Sequence, residues 1–378
     1  MRIGIDARFY GPLGKGLGRY TQKLIQYLEE IDSVNQYFIF LRRKNFDAYE
    51  PQNRNFTKVL ADFQWYSFAE QVRFPFLLKK YNLNLMHFPH FNVPLLYSKP
   101  FVVTIHDLIL VHFPTVKATR LNPFFYWAKF LAYRIVIHSA MKRAQKIFAV
   151  SRFTRNDIIT HYALSKEKII VTYEAGDLAE HSIIRDATAL THYGIIEPYL
   201  LYVGNAYPHK NLETLLATFY EMQKKFSELQ LVLVGRDDFF YGRLKRIIAR
   251  KKISGVVILS SVTDDHLRSL YANAKVFVFP SLYEGFGLPP LEAMAHSVPV
   301  VSSDHPCMRE ILGESAYYVD ARSVTALQNG ITEVFLNKQL QRSLIRKGRE
   351  QVKKYHWRDM AEKTLQTYKE CDRKLQIS

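Results

Sequence analysis

The sequence contains little cysteine, since Cys307 and Cys371 are the only two in 378 residues and they lie far apart. Without Cys-x-x-Cys spacing, the chain carries neither a disulfide framework nor a cysteine zinc site. We expect both thiols to be reduced, as in a cytoplasmic protein. The N-terminus enters a strand pattern directly, without the charged, apolar and small-residue order of a signal peptide, so no export is expected.

Long apolar runs are also absent. The longest ones, residues 101–113 and 124–150, are interrupted by charged side chains and by His106 before ~20 apolar residues accumulate. No membrane-spanning helix is therefore predicted. A hydrophobic content of 48% without a low-complexity tract indicates a folded protein. A chain of this length is expected to form two domains.

Acidic residues are missing between Leu108 and Asn156, although the whole chain carries a net charge of +17. The basic residues of this stretch, 108–156, are Lys117, Arg120, Lys129, Arg134, Lys142, Arg143, Lys146, Arg152 and Arg155. Its interleaved aromatic residues are Phe113, Phe124, Phe125, Tyr126, Trp127, Phe130 and Tyr133. This mixture is typical of a surface that docks on anionic lipid headgroups. The alternatives are a solvated basic face and a nucleic-acid patch, but no nucleic-acid-binding motif accompanies the charge.

What the sequence does contain is a regular alternation of strands and helices. A short strand at Arg2–Asp6 leads into a glycine-rich turn and then into an amphipathic helix. Further strands are predicted at 37–41, 85–88, 101–105, 146–150 and 168–172, and the alternation restarts with strands at 199–203, 231–234, 256–259, 276–280 and 298–302. Such alternation predicts parallel sheets covered by helices on both faces.

The fold class expected from this pattern is α/β, with two Rossmann-like domains in tandem. We assign residues 1–180 to an N-terminal domain, 181–198 to a linker and 199–356 to a C-terminal domain. A final helix, 357–378, is assigned to the first domain, although its pattern alone leaves its packing open. Ligands are expected at the carboxyl ends of the strands and in the cleft between the domains.

The most informative segment is 279–295, in which Glu284 and Glu292 lie eight positions apart across a strand end, a glycine loop and a helix start. Carboxylates accept hydrogen bonds from pairs of hydroxyl groups, so these two could hold the sugars of one elongated ligand. In the alternative interpretation, Glu284 is merely solvated and Glu292 complements the helix dipole.

The same segment also predicts an anion-binding helix start. Pro289 or Pro290 suits a first helical turn, where a missing N–H costs nothing. The amides of Gly287 and Leu288 are then available to face a phosphate, with the positive end of the helix dipole behind them.

This segment resembles the motif of Glu, seven residues and Glu that marks retaining glycosyltransferase family 4, whose fold is called GT-B. The resemblance covers nearly the whole chain and extends to segments 4–8, 16–20, 104–107, 149–154, 202–211 and 356–357. In order and spacing these segments are similar to the mannosyltransferase-like branch of the family. The resemblance implies two domains facing each other across a cleft, the first binding the acceptor and the second the nucleotide sugar.

The resemblance also assigns a donor-binding role to one residue and catalytic roles to three others. Glu292 would hold the ribose of the donor, while Glu284 would contact the transferred sugar. Lys210 would neutralise the diphosphate, and this role is chemically sensible because a departing nucleoside diphosphate accumulates negative charge. His106, at the end of a strand in the first domain, would lie near the donor sugar. The catalytic set is thus His106, Glu284 and Lys210.

Further donor-binding residues follow from the same comparison. Gly16 and Gly18 would let the loop of the first domain approach the diphosphate. Asn205 would lie beside the phosphates, and the main chain of Val262 would meet the base. The sequence departs from the family at Asn205 and His209, where arginine is frequent, and at Ser261, where glycine is frequent. Binding of the donor phosphates would then depend more heavily on Lys210, and the identity of the nucleotide base stays open.

No Asp-x-Asp motif occurs, so no metal site is predicted for the reaction. The pairs Asp237–Asp238 and Asp264–Asp265 are interpreted as turn or helix-capping residues. No cofactor is expected, and the resemblance favours GDP-mannose as the donor substrate, with a UDP-sugar as the other possibility.

The predicted function is retaining hexose transfer, with mannose favoured, to a lipid-linked or polysaccharide acceptor in cell-envelope glycan synthesis. The protein would be cytoplasmic and peripherally associated with the inner face of the plasma membrane. Two alternatives share the architecture: a sugar-nucleotide 2-epimerase, and a non-catalytic nucleotide-sugar-binding membrane scaffold. The spacing of Glu284 and Glu292 argues against the epimerase, and the additional presence of Lys210 argues against the scaffold.

Overall fold

The computed structural model describes residues 1–11, 14–114, 123–176 and 187–377, and its strands form two separate parallel sheets. The chain divides into unit 1, Met1–Glu174 with His356–Ser378, and unit 2, Ala175–Tyr355. Residues 181–186 of the predicted linker and residues 115–122 of the basic stretch, with Lys117 and Arg120, lie outside the described residues. The domain boundaries proposed at 180 and 198 stay predictions.

Unit 1 contains a seven-stranded sheet in the order β3-β2-β1-β4-β5-β6-β7. Its strands are β1 Arg2–Asp6, β2 Gln36–Leu41, β3 Phe56–Leu60, β4 Leu85–Phe88, β5 Phe101–Ile105, β6 Lys146–Ala149 and β7 Ile169–Val171. All neighbouring strands pair in parallel. The strand order reverses between β1 and β4, which is where ligands bind in open α/β sheets.

Unit 2 contains a six-stranded parallel sheet in the order β10-β9-β8-β11-β12-β13. Its strands are β8 Tyr199–Val203, β9 Gln230–Val234, β10 Val256–Leu259, β11 Val276–Phe279, β12 Val300–Ser303 and β13 Ala316–Val319. This is the order of a dinucleotide-binding Rossmann sheet, and its reversal lies between β8 and β11. The predicted α/β class with two Rossmann-like sheets is confirmed.

Helices connect the strands in both units. They are α1 Lys15–Ile31, α2 Phe68–Lys79, α3 Ile109–His112, α4 Pro123–Arg143, α5 Arg152–Tyr162, α6 Ala187–His192, α7 Leu212–Gln223, α8 Phe239–Lys251, α9 Asp264–Asn273, α10 Leu288–Ala295, α11 Pro306–Leu312, α12 Val324–Leu336, α13 Lys338–Val352 and α14 Trp357–Ile377. Among the described helices, none combines the length and the apolar character that a membrane crossing requires.

The predicted strands are confirmed to within a few residues at each end, but β3 and β13 were missed. Both are outermost strands of their sheets. The central strand β5 is buried throughout, whereas exposed or half-buried side chains interrupt β3 and β13. The other two outermost strands, β7 and β10, are also partly exposed but were predicted, so edge position alone does not explain the misses. In β3, Thr57 and Lys58 interrupt the apolar run by which a parallel strand is found.

The C-terminal helix α14 belongs to unit 1, where it is held by a buried polar network. The Tyr368 hydroxyl lies 2.5 Å from Nδ1 of His87, and Nε2 of His87 lies 2.8 Å from the Thr104 hydroxyl. The Tyr20 hydroxyl continues the network at 3.1 Å from Thr104. These contacts connect α14, α1, β4 and β5 in the interior, where unpaired polar groups would be costly.

This network predicts acid sensitivity of unit 1. Burial, with the positive charge of His106 adding to it, lowers the pKa of His87 to about 3. An unfolded histidine has a pKa of about 6.5, so below that pH the unfolded chain binds a proton that the folded unit does not. Stability is therefore lost as the pH falls through this window, by roughly 2 kcal/mol at pH ~5 from this group alone.

The three tryptophans, Trp65, Trp127 and Trp357, all lie in unit 1, so their fluorescence reports its unfolding. We expect His87→Gln to show a smaller loss of urea resistance between pH 7 and pH 5 than the parent. The exposed His356→Gln should keep the full loss. An equal pH dependence in the parent and in His87→Gln would contradict the assignment.

A second buried cluster lies at the end of β1. The Arg8 guanidinium is fully buried, and its Nη2 lies 2.7 Å from Oδ2 of Asp6 and 2.7 Å from Oε1 of Glu70. It also stacks over the Phe74 ring at 4.1 Å. Glu70 in turn accepts a hydrogen bond from Asn92 at 2.7 Å. The cluster fixes the start of the loop that follows β1.

Candidate active site

The carboxyl ends of β8 and β11 bring the two most informative sequence segments together. Lys210 follows β8 and Glu284 follows β11, and these strands are neighbours at the reversal of the sheet. The Leu282 amide donates to the His209 carbonyl at 2.7 Å, which joins the two loops directly. Residues 74 positions apart in sequence thus share one site because of the crossover topology.

Lys210 and Glu284 form an ion pair in which Nζ donates to Oε1 at 2.5 Å. Their side chains are only 13% and 9% exposed. The Nζ atom lies 5.6 Å from the centroid of the Phe279 ring, which forms one wall of the site. Two charges so sheltered from water attract each other strongly, and removing one of them would leave the other buried without a partner, which costs stability.

Asn211 holds the lysine loop in place. Its backbone has a φ of 61°, and its Nδ2 donates to the carbonyls of Ala321 at 2.7 Å and Pro280 at 3.3 Å. Asparagine tolerates this left-handed conformation better than most residues. The side chain therefore anchors the lysine loop to the end of β11. Asn211 ends the family-like segment 202–211, but the resemblance assigned it no role.

Helix α10 begins beside this pair, at a glycine in the left-handed conformation. Gly287 has a φ of 91°, and a Cβ atom there would lie 2.7 Å from Cε of Met308. Because Pro289 and Pro290 have no N–H, the amides left at this helix start are those of Gly287 and Leu288. The start of α10 can therefore present backbone donors and a positive dipole end to an anion.

Glu292 lies on the second turn of α10, and its carboxylate is oriented by a residue that sequence reasoning missed. The Tyr271 hydroxyl donates to Oε2 of Glu292 at 2.9 Å, and the Tyr271 ring stacks on His296 at 5.3 Å. Gly176 passes close by, since a Cβ atom there would lie 3.3 Å from Cβ of Leu291. In sequence, Tyr271 is indistinguishable from an ordinary core residue of α9.

The remaining predicted residues of unit 2 lie in two loops. Oδ1 of Asn205 accepts from the Tyr207 amide at 3.2 Å, so it organises the turn after β8. Val262 lies between β10 and α9, directly after Ser261, whose φ is 60°. That positive φ gives a physical reason for the glycine that is frequent in the family at this position.

Two of the predicted residues of unit 1, Gly16 and Gly18, differ in their surroundings. A Cβ atom at Gly18 would lie 2.0 Å from the Gly11 carbonyl oxygen, so Gly18 is required by the tight turn itself. Gly16 is exposed, and a Cβ atom there would meet nothing within 4 Å. Only Gly16 leaves room for a ligand beside its backbone.

His106, directly after β5, uses both ring nitrogens within unit 1. Nδ1 lies 2.9 Å from Oε1 of Glu174, and Nε2 lies 2.9 Å from the carbonyl oxygen of Pro89. Because a carbonyl and a carboxylate only accept, both nitrogens donate and the ring is an imidazolium. Burial lowers the pKa of His106, but the hydrogen bond and charge of Glu174 outweigh it, and the pKa is raised. This ring is not a proton acceptor.

Two family models match the chain. Residues 14–180 match the model described as "Glycosyltransferase Family 4", and residues 196–351 match "Glycosyl transferases group 1". With the two Rossmann-like sheets, these matches define a glycosyltransferase of the GT-B fold. The chain belongs to glycosyltransferase family 4. It is therefore a hexosyltransferase of a retaining family, with a nucleotide sugar as donor.

Similar proteins of known name come from enteric bacteria. The chain is 27% identical over 341 residues to the O-antigen chain mannosyltransferase RfbU of Salmonella typhimurium, covering 86% of this chain and 88% of the relative. It is 28% identical over 376 residues to the O-antigen chain mannosyltransferase B of Escherichia coli, covering 94% and 96%.

Solved structures share the fold at lower identity. Sucrose-phosphate synthase from Thermosynechococcus elongatus matches with a TM-score of 0.77 at 20% identity, over 98% of both chains. Anabaena HepE in complex with UDP-glucose matches with a TM-score of 0.75 at 15% identity, over 98% of this chain and all of that one. At these identities the likeness shows the fold alone.

Proposed function

We propose that this chain transfers mannose from GDP-mannose to a lipid-linked glycan acceptor in cell-envelope polysaccharide synthesis, with retention of the anomeric configuration. The named mannosyltransferase relatives support the sugar and the polysaccharide context. The observation that carries the site assignment is the buried Lys210–Glu284 pair beside the start of α10. The lysine follows β8 and the helix start follows β11, so a cation and backbone amides both lie at the reversal of the sheet, where a diphosphate can bind.

Donor binding would exchange the counter-ion of Lys210. Without a ligand, Nζ is paired with Glu284. A diphosphate carries more negative charge than one carboxylate, so it takes over Nζ together with the amides of Gly287 and Leu288. Glu284 is then released to accept hydrogen bonds from the hydroxyls of the hexose. Glu292, oriented by Tyr271, holds the ribose hydroxyls.

The reaction then needs no protein base. The bond between the anomeric carbon and the diphosphate oxygen breaks, and the acceptor oxygen bonds to that carbon on the same face. The acceptor proton goes to the departing diphosphate. Lys210 and the amides stabilise the charge that develops there, so no metal is assigned a role. His106, whose two ring nitrogens are both occupied by acceptors of unit 1, is consistent with a mechanism that uses no side-chain base.

A thermal-shift panel of nucleotide sugars tests the proposal. GDP-mannose at 100 times its dissociation constant should add about 2.7 kcal/mol of stability. Incubation with a polyprenyl-diphosphate-linked glycan should then yield an α-mannoside by proton NMR. Conversion of GDP-mannose to another nucleotide sugar without acceptor would instead indicate an epimerase. Binding of GDP-mannose with neither transfer nor slow hydrolysis would indicate a non-catalytic scaffold.

The orientation of Glu292 by Tyr271 gives a prediction about donor affinity. Tyr271→Phe keeps the ring stacking but removes the hydroxyl that donates to Glu292. A typical hydrogen bond contributes about 1 kcal/mol, so the KM for the donor should rise about 5-fold with little change in kcat. Initial rates against donor concentration measure this. Tyr49→Phe, which removes a comparable hydrogen bond from a tyrosine hydroxyl to Oε1 of Glu29 within unit 1, is the matched control. A fall in kcat at constant KM would contradict the ribose-holding role.

We further propose that α4 docks unit 1 on an anionic membrane. Trp127, Leu131 and Ile135 recur every four residues and are each about half exposed, so they form an apolar stripe on the outer face of the helix. The exposed basic residues Lys129 and Arg134 flank the stripe. Apolar side chains flanked by cations fit the boundary between headgroups and acyl chains.

The triple change Trp127→Ser, Leu131→Gln and Ile135→Gln should therefore weaken binding to phosphatidylglycerol vesicles. Loss of three inserted apolar side chains should reduce the bound fraction by at least about 10-fold. Transfer to a water-soluble acceptor should be unchanged. Sedimentation with vesicles measures binding, with Leu336→Gln, an exposed leucine of unit 2, as the control. Equal sedimentation of the triple variant and the parent would rule out this face.

A further inference from the structure

The geometry points to a transition-metal site on unit 1, made by His112, Asp157 and His161. Their ligating atoms all lie within 4.8 Å of one another. Nε2 of His112 lies 2.8 Å from Oδ2 of Asp157, and Nδ1 of His161 lies 3.0 Å from Oδ1. We propose that these three side chains bind Zn²⁺. The proposal stands independently of the donor and acceptor assignments.

The local folding of the chain explains why the three side chains converge. Asp157 and His161 are four positions apart on α5, so they lie on the same face of that helix. His112 is the last residue of α3, and α3 is fixed by its Ile109 amide, which donates to Oδ1 of Asp107 at 2.9 Å. A helix face and a helix end therefore meet around one carboxylate.

The donor set fits zinc better than it fits calcium or magnesium. Two imidazole nitrogens and one carboxylate are ligands that Zn²⁺ binds tetrahedrally, with water in the fourth position. Calcium and magnesium prefer sites made of oxygen alone. Zinc bonds of about 2.0–2.2 Å place neighbouring ligand atoms ~3.3 Å apart, so the two nitrogen–oxygen separations of 2.8 and 3.0 Å need to open by only a few tenths of an ångström.

The burial pattern also suits a metal. The Asp157 side chain is 8% exposed, while His112 and His161 are 29% and 34% exposed. The carboxylate is thus covered by two rings whose outer edges remain open to solvent, which leaves an entry path for the ion. Asp157 is the first acidic residue after the basic stretch, so its carboxylate supplies the negative charge that a cation bound there requires.

Such a site would clamp the segment after β5 to α5. His106 lies six positions before His112, and its carbonyl already accepts a 3.3 Å hydrogen bond from the Thr154 hydroxyl of α5. A zinc ion would add a second connection between the same two elements. Its expected role is to rigidify unit 1 outside the chemical step, so metal-free enzyme should keep its transfer activity.

The test is zinc titration of the full-length, tag-free chain after treatment with a chelator. Calorimetry should give one Zn²⁺ per chain, and the tryptophan-detected melting temperature should rise with zinc. Zinc binding should weaken by at least about 10-fold in each of the variants His112→Ala, Asp157→Asn and His161→Ala. The loss of even an outer-shell partner typically costs about 10–100-fold in metal affinity. His138→Ala, an exposed histidine of α4, should bind like the parent.

Cobalt provides a second readout that does not depend on stability. Co²⁺ at this site should give the intense visible absorption of a tetrahedral centre. The band should disappear in Asp157→Asn, because the asparagine side chain has nearly the shape of aspartate but lacks its charge. Saturating zinc without a change in melting temperature, or equal binding by the parent and all three variants, would overturn the proposal.

Discussion

Lys210→Met is expected to lower kcat/KM for hexose transfer by about 10²–10³-fold, the usual cost of removing one preorganised donor from a developing oxyanion. The reason is that Nζ is a sheltered cation whose partner, Glu284, lies just before the start of α10. The loss should appear mainly in kcat, because the charge on the diphosphate grows as the glycosidic bond breaks. Single-turnover rates with saturating donor measure it.

The stability of this variant needs separate control, because Lys210→Met leaves Glu284 sheltered from water without a partner. That costs free energy of unfolding whatever the function. The double variant Lys210→Met with Glu284→Gln removes both charges, so it should recover stability but not activity. Lys245→Met removes a lysine whose ion pair with Asp237 is largely exposed, and it should change neither property. Near-parental transfer by a folded Lys210→Met would remove the lysine from the mechanism.

Arg8→Met is expected to destabilise unit 1 by about 3–5 kcal/mol, the usual cost of removing one partner from a buried ion pair. The substitution leaves the carboxylates of Asp6 and Glu70 buried without their shared cation. It also removes the guanidinium from the Phe74 ring. Urea unfolding followed by tryptophan fluorescence measures the change in unit 1 alone.

Two comparisons separate this effect from a general loss of charge. Arg358→Met breaks an exposed pair with Glu30, also within unit 1, and should cost no more than about 1 kcal/mol. Adding Asp6→Asn and Glu70→Gln to Arg8→Met should restore part of the lost stability, because neutral groups are less costly to bury than charged ones. A cost for Arg8→Met as small as that for Arg358→Met would contradict the structural role of the cluster.

The fold was predictable because central parallel strands carry continuous apolar runs that alternate with helices. The pattern failed at β3, where Thr57 and Lys58 interrupt the apolar run, and at β13, a four-residue strand that is half-buried at its centre. It also could not assign α14 to a unit, since the contact between Tyr368 and His87 joins residues 281 positions apart. Contacts of that range leave no local trace in a sequence.

The candidate site was predictable where its residues belong to a motif. Lys210, Glu284 and Glu292 all lie in segments that carry the family resemblance, and the structure places the first two in contact. The residues that orient them were not found. Asn211 and Tyr271 act through hydrogen bonds to distant partners. Asn211 ends the segment 202–211 without an assigned role, and in sequence Tyr271 is an ordinary core residue.

His106 shows a different limit. The resemblance placed it near the donor sugar, but nothing in the sequence indicated that Glu174, 68 positions away, would hold its ring in the charged form. Its protonation state is set by two acceptors that only the folded chain supplies. A role assigned by motif therefore leaves open which form of the side chain is present.

A crystal structure of the chain with GDP tests the central claim most directly. The account predicts that the diphosphate oxygens lie within hydrogen-bond distance of Nζ of Lys210 and of the amides of Gly287 and Leu288, with the ribose at Glu292. Glu284 should then have left Lys210. A diphosphate bound elsewhere, with the ion pair between Lys210 and Glu284 intact, would contradict it.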